Sequence, residues 1–163
     1  MPTLNKAQLL HQVIAHLETA LSQAQQAAQT AYEAATDEEN IAENKYDTLG
    51  LEASYLATGQ ARRAQAIRHT LSTWKQLVLR PFDERLGVQL GALVWLADED
   101  DKRQCLFLGP DGAAIKLQQD GHSVQVIGPL APLGRALLGK GCGDQVTLQI
   151  ASGVQLFELL SVD

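Results

Sequence analysis

The sequence predicts an α+β protein in which a long antiparallel helical hairpin (a coiled coil) precedes a small antiparallel β domain with one short helix. No proline lies between Pro2 and Pro81, and only two of the 13 glycines precede Gly87. Apolar residues recur every three or four positions in the first half, whereas short β-rich runs separated by turns fill the second half. We therefore predict two domains, 1–80 and 81–163.

Two heptad seams predict the hairpin. In each seam the apolar positions alternate spacings of three and four, which keeps them on one side of a helix. The first seam tapers from large side chains to alanines, and the second has the opposite taper, so the two match when the helices pair antiparallel within one chain. This pairing predicts a monomer. The first seam comprises Leu10, Ile14, Leu17, Leu21, Ala24, Ala28, Ala31 and Ala35; the second comprises Ala53, Leu56, Gln60, Ala64, Ile67, Leu71, Trp74 and Val78.

The second half predicts a small antiparallel sheet. Turn signals rich in glycine and aspartate separate the β-rich runs. A short helix is expected at Pro132–Leu138, because proline suits the first helical position and Gly139 suits a left-handed stop. The candidate strands are Ala92–Ala97, Gln104–Leu108, Ala113–Leu117, Ser123–Ile127, Gln145–Ile150 and Leu156–Val162.

Composition excludes several function classes. The longest apolar runs are far shorter than the roughly 20 residues that cross a bilayer, and the first residues lack the features of a signal peptide, so we expect a cytoplasmic location and no membrane partner. Cys105 and Cys142 form no zinc pattern, and the four histidines share no spacing. The formal charge of −6 argues against a protein that coats nucleic acid. The sequence offers no catalytic set of its own.

An acidic segment, 37–47, coincides with the expected reversal of the hairpin near residue 41. A concentrated negative tip follows, with Lys45 as its one cation. Two interpretations stay open: a functional carboxylate cluster, or helix capping by Thr36 with Glu39 and by Asn44 with Asp47. The acidic residues of the tip are Asp37, Glu38, Glu39, Glu43 and Asp47.

A basic band on the returning helix comprises Arg62, Arg63 and Arg68. These side chains are typical of a solvated helix face with ion pairs. They would equally suit a contact with an acidic protein surface or with a phosphate backbone.

One motif in the second half resembles a known family. Residues 132–140 read Pro-Leu-Gly-Arg-Ala-Leu-Leu-Gly-Lys, and residues 143–146 read Gly-Asp-Gln-Val. This pattern is similar to the C-terminal motif of the bacterial GreA/GreB transcript-cleavage and elongation factors, with Ala131 where that family usually has serine. The tip run Glu43-Asn44 with Tyr46 is similar to the family's tip. The resemblance implies an FKBP-like C-terminal domain.

The resemblance also implies a partner and a mechanism. The hairpin would enter the secondary channel of RNA polymerase and reach the nascent RNA 3′ end indirectly, through the polymerase. Polymerase-docking candidates are then Arg135, Lys140 and Asp144. The chain would be an accessory factor rather than an enzyme. It would have no cofactor of its own, and its tip carboxylates would help to hold a second Mg²⁺ within the polymerase.

The tip departs from the family pattern. Asn40 stands where the family carries aspartate, and an amide oxygen is a weaker Mg²⁺ ligand than a carboxylate. Asn40, Asn44 and Tyr46 are therefore assigned as supporting residues of the tip. This departure leaves open a channel-binding competitor that does not stimulate cleavage.

Two further function classes stay open. A coiled-coil interaction module unrelated to transcription would follow if the seams drive self-association. A prolyl isomerase would follow from the implied fold, but it needs an aromatic-lined pocket. The second domain offers only Phe82, Trp95, Phe107 and Phe157 for such a pocket.

Overall fold

The computed structural model describes residues 2–37 and 48–163 of the chain. In that part, two long helices come first and a six-stranded sheet with a short helix follows, which confirms the predicted α+β fold class. None of the described helices is both long enough and apolar enough to cross a membrane. The elements in chain order are α1 (Lys6–Thr36), α2 (Leu49–Lys75), β1 (Leu93–Ala97), β2 (Arg103–Leu108), β3 (Lys116–Gln119), β4 (His122–Ile127), α3 (Pro132–Leu137), β5 (Gln145–Ile150) and β6 (Gly153–Val162).

The chain divides into two compact units. One, the helical unit, is Ala15–Ser72, and the other, the sheet unit, combines the chain up to Ile14 with Thr73–Asp163. The first turns of α1 and the last residues of α2 therefore belong to the sheet unit.

The helical unit pairs α1 with α2 along the predicted seams. Leu17, Ala24 and Ala31 of the first seam are buried, as are Ala64 and Leu71 of the second. Two surface grooves are lined by residues of both helices, as paired antiparallel helices require. Every seam position of this unit except Leu56 is buried or half-buried, as a helix face turned toward a partner requires.

Two seam positions were predicted wrongly. Leu56 is 57% exposed, and Val78 is 61% exposed because α2 ends at Lys75. The amides of Gln76 and Leu77 donate to the carbonyls of Thr73 and Trp74, so the last turn tightens before the chain leaves the helix.

The sheet has the order β3-β4-β2-β1-β6-β5. Among its pairings, β2 with β4 is parallel and the rest are antiparallel, so the expectation of a purely antiparallel sheet was wrong at this one place. The reason is that the chain after β2 does not turn directly into the strand position beside β2 but runs first to the sheet edge. The β3–β4 hairpin then places β4 beside β2 and leaves the short β3 at the edge.

The third strand also lies later than predicted. It spans Lys116–Gln119 rather than Ala113–Leu117, because its register is set by the hairpin that follows. Asp120 and Gly121 both have positive φ, 50° and 77°, which is the geometry of a two-residue type I′ turn. This turn pairs Gln119 with His122 and so fixes the rest of the strand.

The sheet buries both faces. One face forms a cluster with α3, in which Val94, Leu96 and Leu137 have no exposed surface. On the other face, Trp74 packs edge-on against Phe107, with ring centroids 6.1 Å apart and an interplanar angle of 70°. Both aromatic side chains are fully buried, so Trp74 is a packing residue as expected.

A polar anchor holds the start of α1 in the sheet unit. The Asn5 amide donates to the Gln119 side-chain carbonyl, and Gln119 Nε2 donates to the Asn5 carbonyl at 3.2 Å. Gln119 is 7% exposed, so these bonds satisfy a buried amide. Lys6 Nζ also donates to the Arg80 carbonyl at 2.7 Å, and partial burial lowers the pKa of Lys6 while the charge of Asp163 opposes that shift.

Candidate functional site

The predicted acidic tip is represented in the described residues by Asp37. Its side chain is exposed and follows directly after the end of α1. The other tip residues lie outside the described residues: Glu38, Glu39, Asn40, Glu43, Asn44, Tyr46 and Asp47.

The described helix ends that border this segment are α1 up to Thr36 and α2 from Leu49. Thr36 closes α1, where its hydroxyl donates to the carbonyls of Tyr32 and Glu33. The returning helix begins at Leu49, and the residue before it is Thr48, whose hydroxyl donates to Glu52 Oε1 at 3.2 Å. Asn44 and Asp47, the capping pair predicted for this helix, lie outside the described residues.

The basic band lies on exposed positions of α2. Arg62, Arg63 and Arg68 are all exposed. The Arg68 guanidinium donates to Gln65 Oε1 at 2.8 Å, within its own helix. The three side chains lie about 100° to 140° apart around the helix, so the band does not form a single face.

The candidate site with the best-defined backbone contacts is the loop that surrounds α3. The Gly139 amide donates to the Val88 carbonyl at 2.9 Å, and the Val88 amide donates to the Lys140 carbonyl at 2.8 Å. A Cβ atom added at Gly87 would overlap the backbone of Gly139. The segments 86–88 and 138–140 are therefore held together by backbone contacts, and we call these two segments with residues 130–137 the α3 platform.

The platform presents cations and leucines to solvent. The side chains of Arg135 and Lys140 are exposed. Leu86 is 54% exposed and Leu130 is 67% exposed, while Leu138 is 36% exposed. Exposed apolar groups beside cations on a rigid backbone are typical of a protein-binding surface. Sequence reasoning found Arg135 and Lys140 but missed the leucines at 86 and 130, because the pairing of 86–88 with 138–140 has no local signal.

Asp144, the third docking candidate, is engaged with its own turn. Its Oδ2 accepts a hydrogen bond from the Gly141 amide at 2.8 Å, and its amide donates to the Gly141 carbonyl at 3.1 Å. The carbonyl of Asp144 accepts from the Leu159 amide. These contacts fix the turn that connects α3 to β5, so Asp144 shapes the loop next to Lys140.

Close backbone packing explains the glycine in the middle of the motif. A Cβ atom at Gly134 would overlap the carbonyl oxygen of Gly128, and one at Gly128 would overlap the side chain of Asp111. The Leu130 amide donates to the same Asp111 carboxylate at 3.4 Å. The first turn of α3 thus sits directly on the loop that precedes it.

The start of α3 lacks a side-chain cap, because Ala131 has no side-chain acceptor. This residue has the extended conformation of an N-cap, with φ −63° and ψ 142°, and makes no capping side-chain bond. We expect Ala131→Ser to raise the free energy of unfolding by about 1 kcal/mol, because the new hydroxyl can accept from the Gly134 amide. Urea denaturation measures the change.

The matched control for this change is Ala114→Ser, at an exposed loop position. It should leave the free energy of unfolding within about 0.5 kcal/mol of the starting value. A capped variant no more stable than the control would show that the missing side-chain bond does not limit α3.

Phe107 and Phe157, two of the aromatic candidates for an isomerase pocket, do not share one. Phe107 packs with Trp74 on one face of the sheet, whereas Phe157 belongs to the cluster on the opposite face. Among the described residues no three His, Cys, Asp or Glu side chains are placed to hold a metal ion. Cys105 is buried, and desolvation raises the pKa of its thiol to about 12, which keeps it protonated.

A comparison with known protein families finds a match in the second half of the chain. The family model "Transcription elongation factor, GreA/GreB, C-term" matches residues 86–163. A comparison with curated protein sequences found no match.

Solved structures are similar to the chain at low identity. Gfh1 (GreA factor homolog 1) of Thermus thermophilus is 22% identical over 92% of this chain and 94% of its own, with a TM-score of 0.39. Gfh1 of Thermus aquaticus is 22% identical over 91% and 92%, with a TM-score of 0.41. A GreA/GreB factor of Nitrosomonas europaea is 23% identical over 61% and 78%, with a TM-score of 0.38. Residues 86–163, just under half of the chain, therefore match the C-terminal domain of the GreA/GreB family of transcription elongation factors.

Proposed function

We propose that this chain is an accessory factor that binds RNA polymerase, with the α3 platform as its docking surface and the helical hairpin entering the secondary channel. The observation that carries the proposal is the platform itself, which lies wholly within the part of the chain matched by the family model. Its motif residues are held in place by backbone hydrogen bonds, while Arg135 and Lys140 point their charges at solvent. The polymerase supplies the catalytic centre in this proposal, and the cellular location is the cytoplasm.

The chemistry of the platform suits a protein partner. Exposed leucines offer apolar area that gains from burial, and the two cations favour an acidic or carbonyl-rich surface. The sheet unit as a whole is acidic, so a local pair of cations gives the platform a charge opposite to its surroundings. That contrast would orient the domain as it approaches a partner.

The acidic tip supplies the second part of the proposal. Carboxylates are the ligands that Mg²⁺ prefers, and the tip offers five of them, with Asp37 exposed in the described residues. A Mg²⁺ ion held there would stabilise the attacking water and the leaving oxygen when backtracked RNA is cleaved. The role of the chain is to bring its carboxylates to the ion, which substrate and polymerase also bind.

Binding to core RNA polymerase tests the first part of the proposal. Biolayer interferometry with immobilised core enzyme should give saturable binding in the micromolar range or tighter. Competition by a conventional Gre factor would place the two proteins at the same channel. Absence of binding at about 10 µM would contradict the proposal, because that concentration exceeds the Kd of even modest specific complexes.

A cleavage assay tests the second part. We expect Glu39→Ala combined with Glu43→Ala to abolish any stimulation of transcript cleavage in backtracked complexes and to change polymerase affinity less than about twofold, since a tip ligand acts on the chemistry and not on docking. The rate of RNA shortening and the Kd are measured on the same preparations.

The matched control removes two carboxylates elsewhere. Glu99→Ala with Asp100→Ala alters the exposed β1–β2 turn and should leave the cleavage rate unchanged. Equal losses in both double variants would mean that overall charge, rather than the tip, sets the rate.

A second candidate function is a channel-binding competitor that does not stimulate cleavage. The observation that favours it is Asn40, an amide at the position where the resemblance places an aspartate. In the cleavage assay this function predicts no stimulation by the chain alone and inhibition of a conventional Gre factor added afterwards. Asn40→Asp should then restore stimulation if the missing carboxylate is the cause.

A further inference from the structure

The outer face of α2 carries an unusual set of residues around the level of Ala57. Glu52, Tyr55, Gly59 and Arg62 lie within an arc of about 80° on an α-helix, on the side opposite Ala57. Ala57 itself lines a groove shared with α1. The four residues are exposed, and Tyr55 is exposed to 70%.

Gly59 has no packing reason within the described residues. It lies in the interior of a 27-residue helix, where glycine is the least favourable residue after proline. A Cβ atom added there would meet nothing within 4 Å. The missing side chain leaves room for another group to approach the helix backbone closely.

We propose that this face pairs with the same face of a second copy, antiparallel about a two-fold axis at the level of Ala57. In such a pair each residue meets the one that lies equally far on the other side of Ala57. Glu52 of one copy then faces Arg62 of the other, and the Tyr55 ring lies over Gly59. Because the contact is isologous, both pairs form twice.

In this register both the charges and the shapes of the two faces are complementary. Glu52 and Arg62 are ten residues apart, about 15 Å along the helix, and carry opposite charges. Thr48 occupies one oxygen of the Glu52 carboxylate, which leaves further acceptor sites for a guanidinium. The same register puts the largest exposed ring of the face against the one residue without a side chain.

The contact is small, so the pairing is weak and depends on concentration and salt. At low protein concentration the intrachain hairpin leaves the chain a monomer. At high concentration the pairing adds a dimer. The inference does not rest on the proposed polymerase binding, since it uses neither the tip nor the α3 platform.

Sedimentation equilibrium of the full chain tests the pairing. Between about 10 and 500 µM protein, we expect a monomer–dimer equilibrium at about 50 mM salt whose association constant falls several-fold at about 500 mM salt. Arg62→Glu and Glu52→Arg should each weaken association at least about tenfold, because each places like charges opposite one another. The combined variant should restore it, which a merely structural role of either residue would not do.

Arg68→Glu is the matched control. It makes the same charge change about 120° around the same helix from Arg62 and should leave association within about twofold. A monomer at all concentrations, or a combined variant that fails to recover association, would overturn the proposal. So would an Arg62→Glu variant that loses polymerase affinity but keeps self-association.

Gly59→Ala separates association from stability. The alanine should raise the melting temperature by about 2–4 °C, since it favours the helix. It should lower the association constant at least about fivefold, because its methyl group would occupy space that the Tyr55 ring of the second copy needs. A photo-crosslinker at position 55 should attach to peptides around residue 59 of the second copy, and crosslinks confined to other regions would contradict the register.

Discussion

Trp74→Ala should lower the free energy of unfolding by about 3–5 kcal/mol, the largest stability effect expected in the molecule. Trp74 has no exposed surface and packs against Phe107 at a centroid distance of 6.1 Å. Gly109 leaves the space for the ring, since a Cβ atom there would overlap the indole. Removing the ring therefore opens a large cavity on the helix-covered face of the sheet. Urea denaturation followed by far-ultraviolet circular dichroism measures the loss.

The matched variant is Trp74→Phe. The indole Nε1 of Trp74 is buried and has no hydrogen-bond partner among the described residues, so phenylalanine removes ring volume without removing a hydrogen bond seen there. Its cost should be well below that of alanine. Gly109→Ala should also lower the free energy of unfolding, because the added Cβ atom would overlap the indole of Trp74. If Trp74→Ala costs less than about 1 kcal/mol, the ring does not hold the end of α2 on the sheet.

The helices were predictable because their signal is local and periodic. The first seam places buried alanines at Ala24 and Ala31 from spacing alone. Leu9 and Val13 are fully buried one position away from that seam. They lie on the part of α1 that belongs to the sheet unit, and the periodicity of one helix does not reveal that it changes partner along its length.

The sheet was predictable in number of strands and less so in pairing. The six strands follow from alternating β-rich runs and turns, and β5 was placed with its observed bounds. The parallel contact of β2 with β4 joins segments about 20 residues apart and depends on a crossover without a local sequence signal. The buried amide of Gln119, bonded to Asn5 at the other end of the chain, is a long-range contact of the same kind.

The candidate site was predictable where a motif carried it. The run 132–140 identified α3, its proline start and the left-handed Gly139, whose φ is 81°. The contribution of segment 86–88 was not predictable, because it arises from backbone pairing across about 50 residues. The tip was identified from its charge alone, and its geometry lies in residues 38–47, outside the described residues.

Reversing the two cations of the α3 platform should weaken polymerase binding at least about tenfold, or about 1.4 kcal/mol. The change is Arg135→Glu with Lys140→Glu. Both side chains are exposed, and the bond between the Lys140 carbonyl and the Val88 amide uses the backbone, so the loop keeps its shape when the side chain changes. The variant should therefore lose affinity while its free energy of unfolding changes by less than about 1 kcal/mol. Titration against core polymerase and urea denaturation measure the two quantities.

The control carries the same charge change outside the platform. Arg103→Glu with Lys116→Glu alters exposed positions at the starts of β2 and β3 and should leave the Kd within about twofold. Platform binding also predicts a salt dependence, since charged contacts at a partly exposed interface are screened above about 0.1 M salt. Equal losses in both double variants would show that net charge governs binding. An unchanged Kd in the platform variant would mean that the exposed leucines Leu86, Leu130 and Leu138 bind without the cations, or that another surface of the sheet unit meets the polymerase.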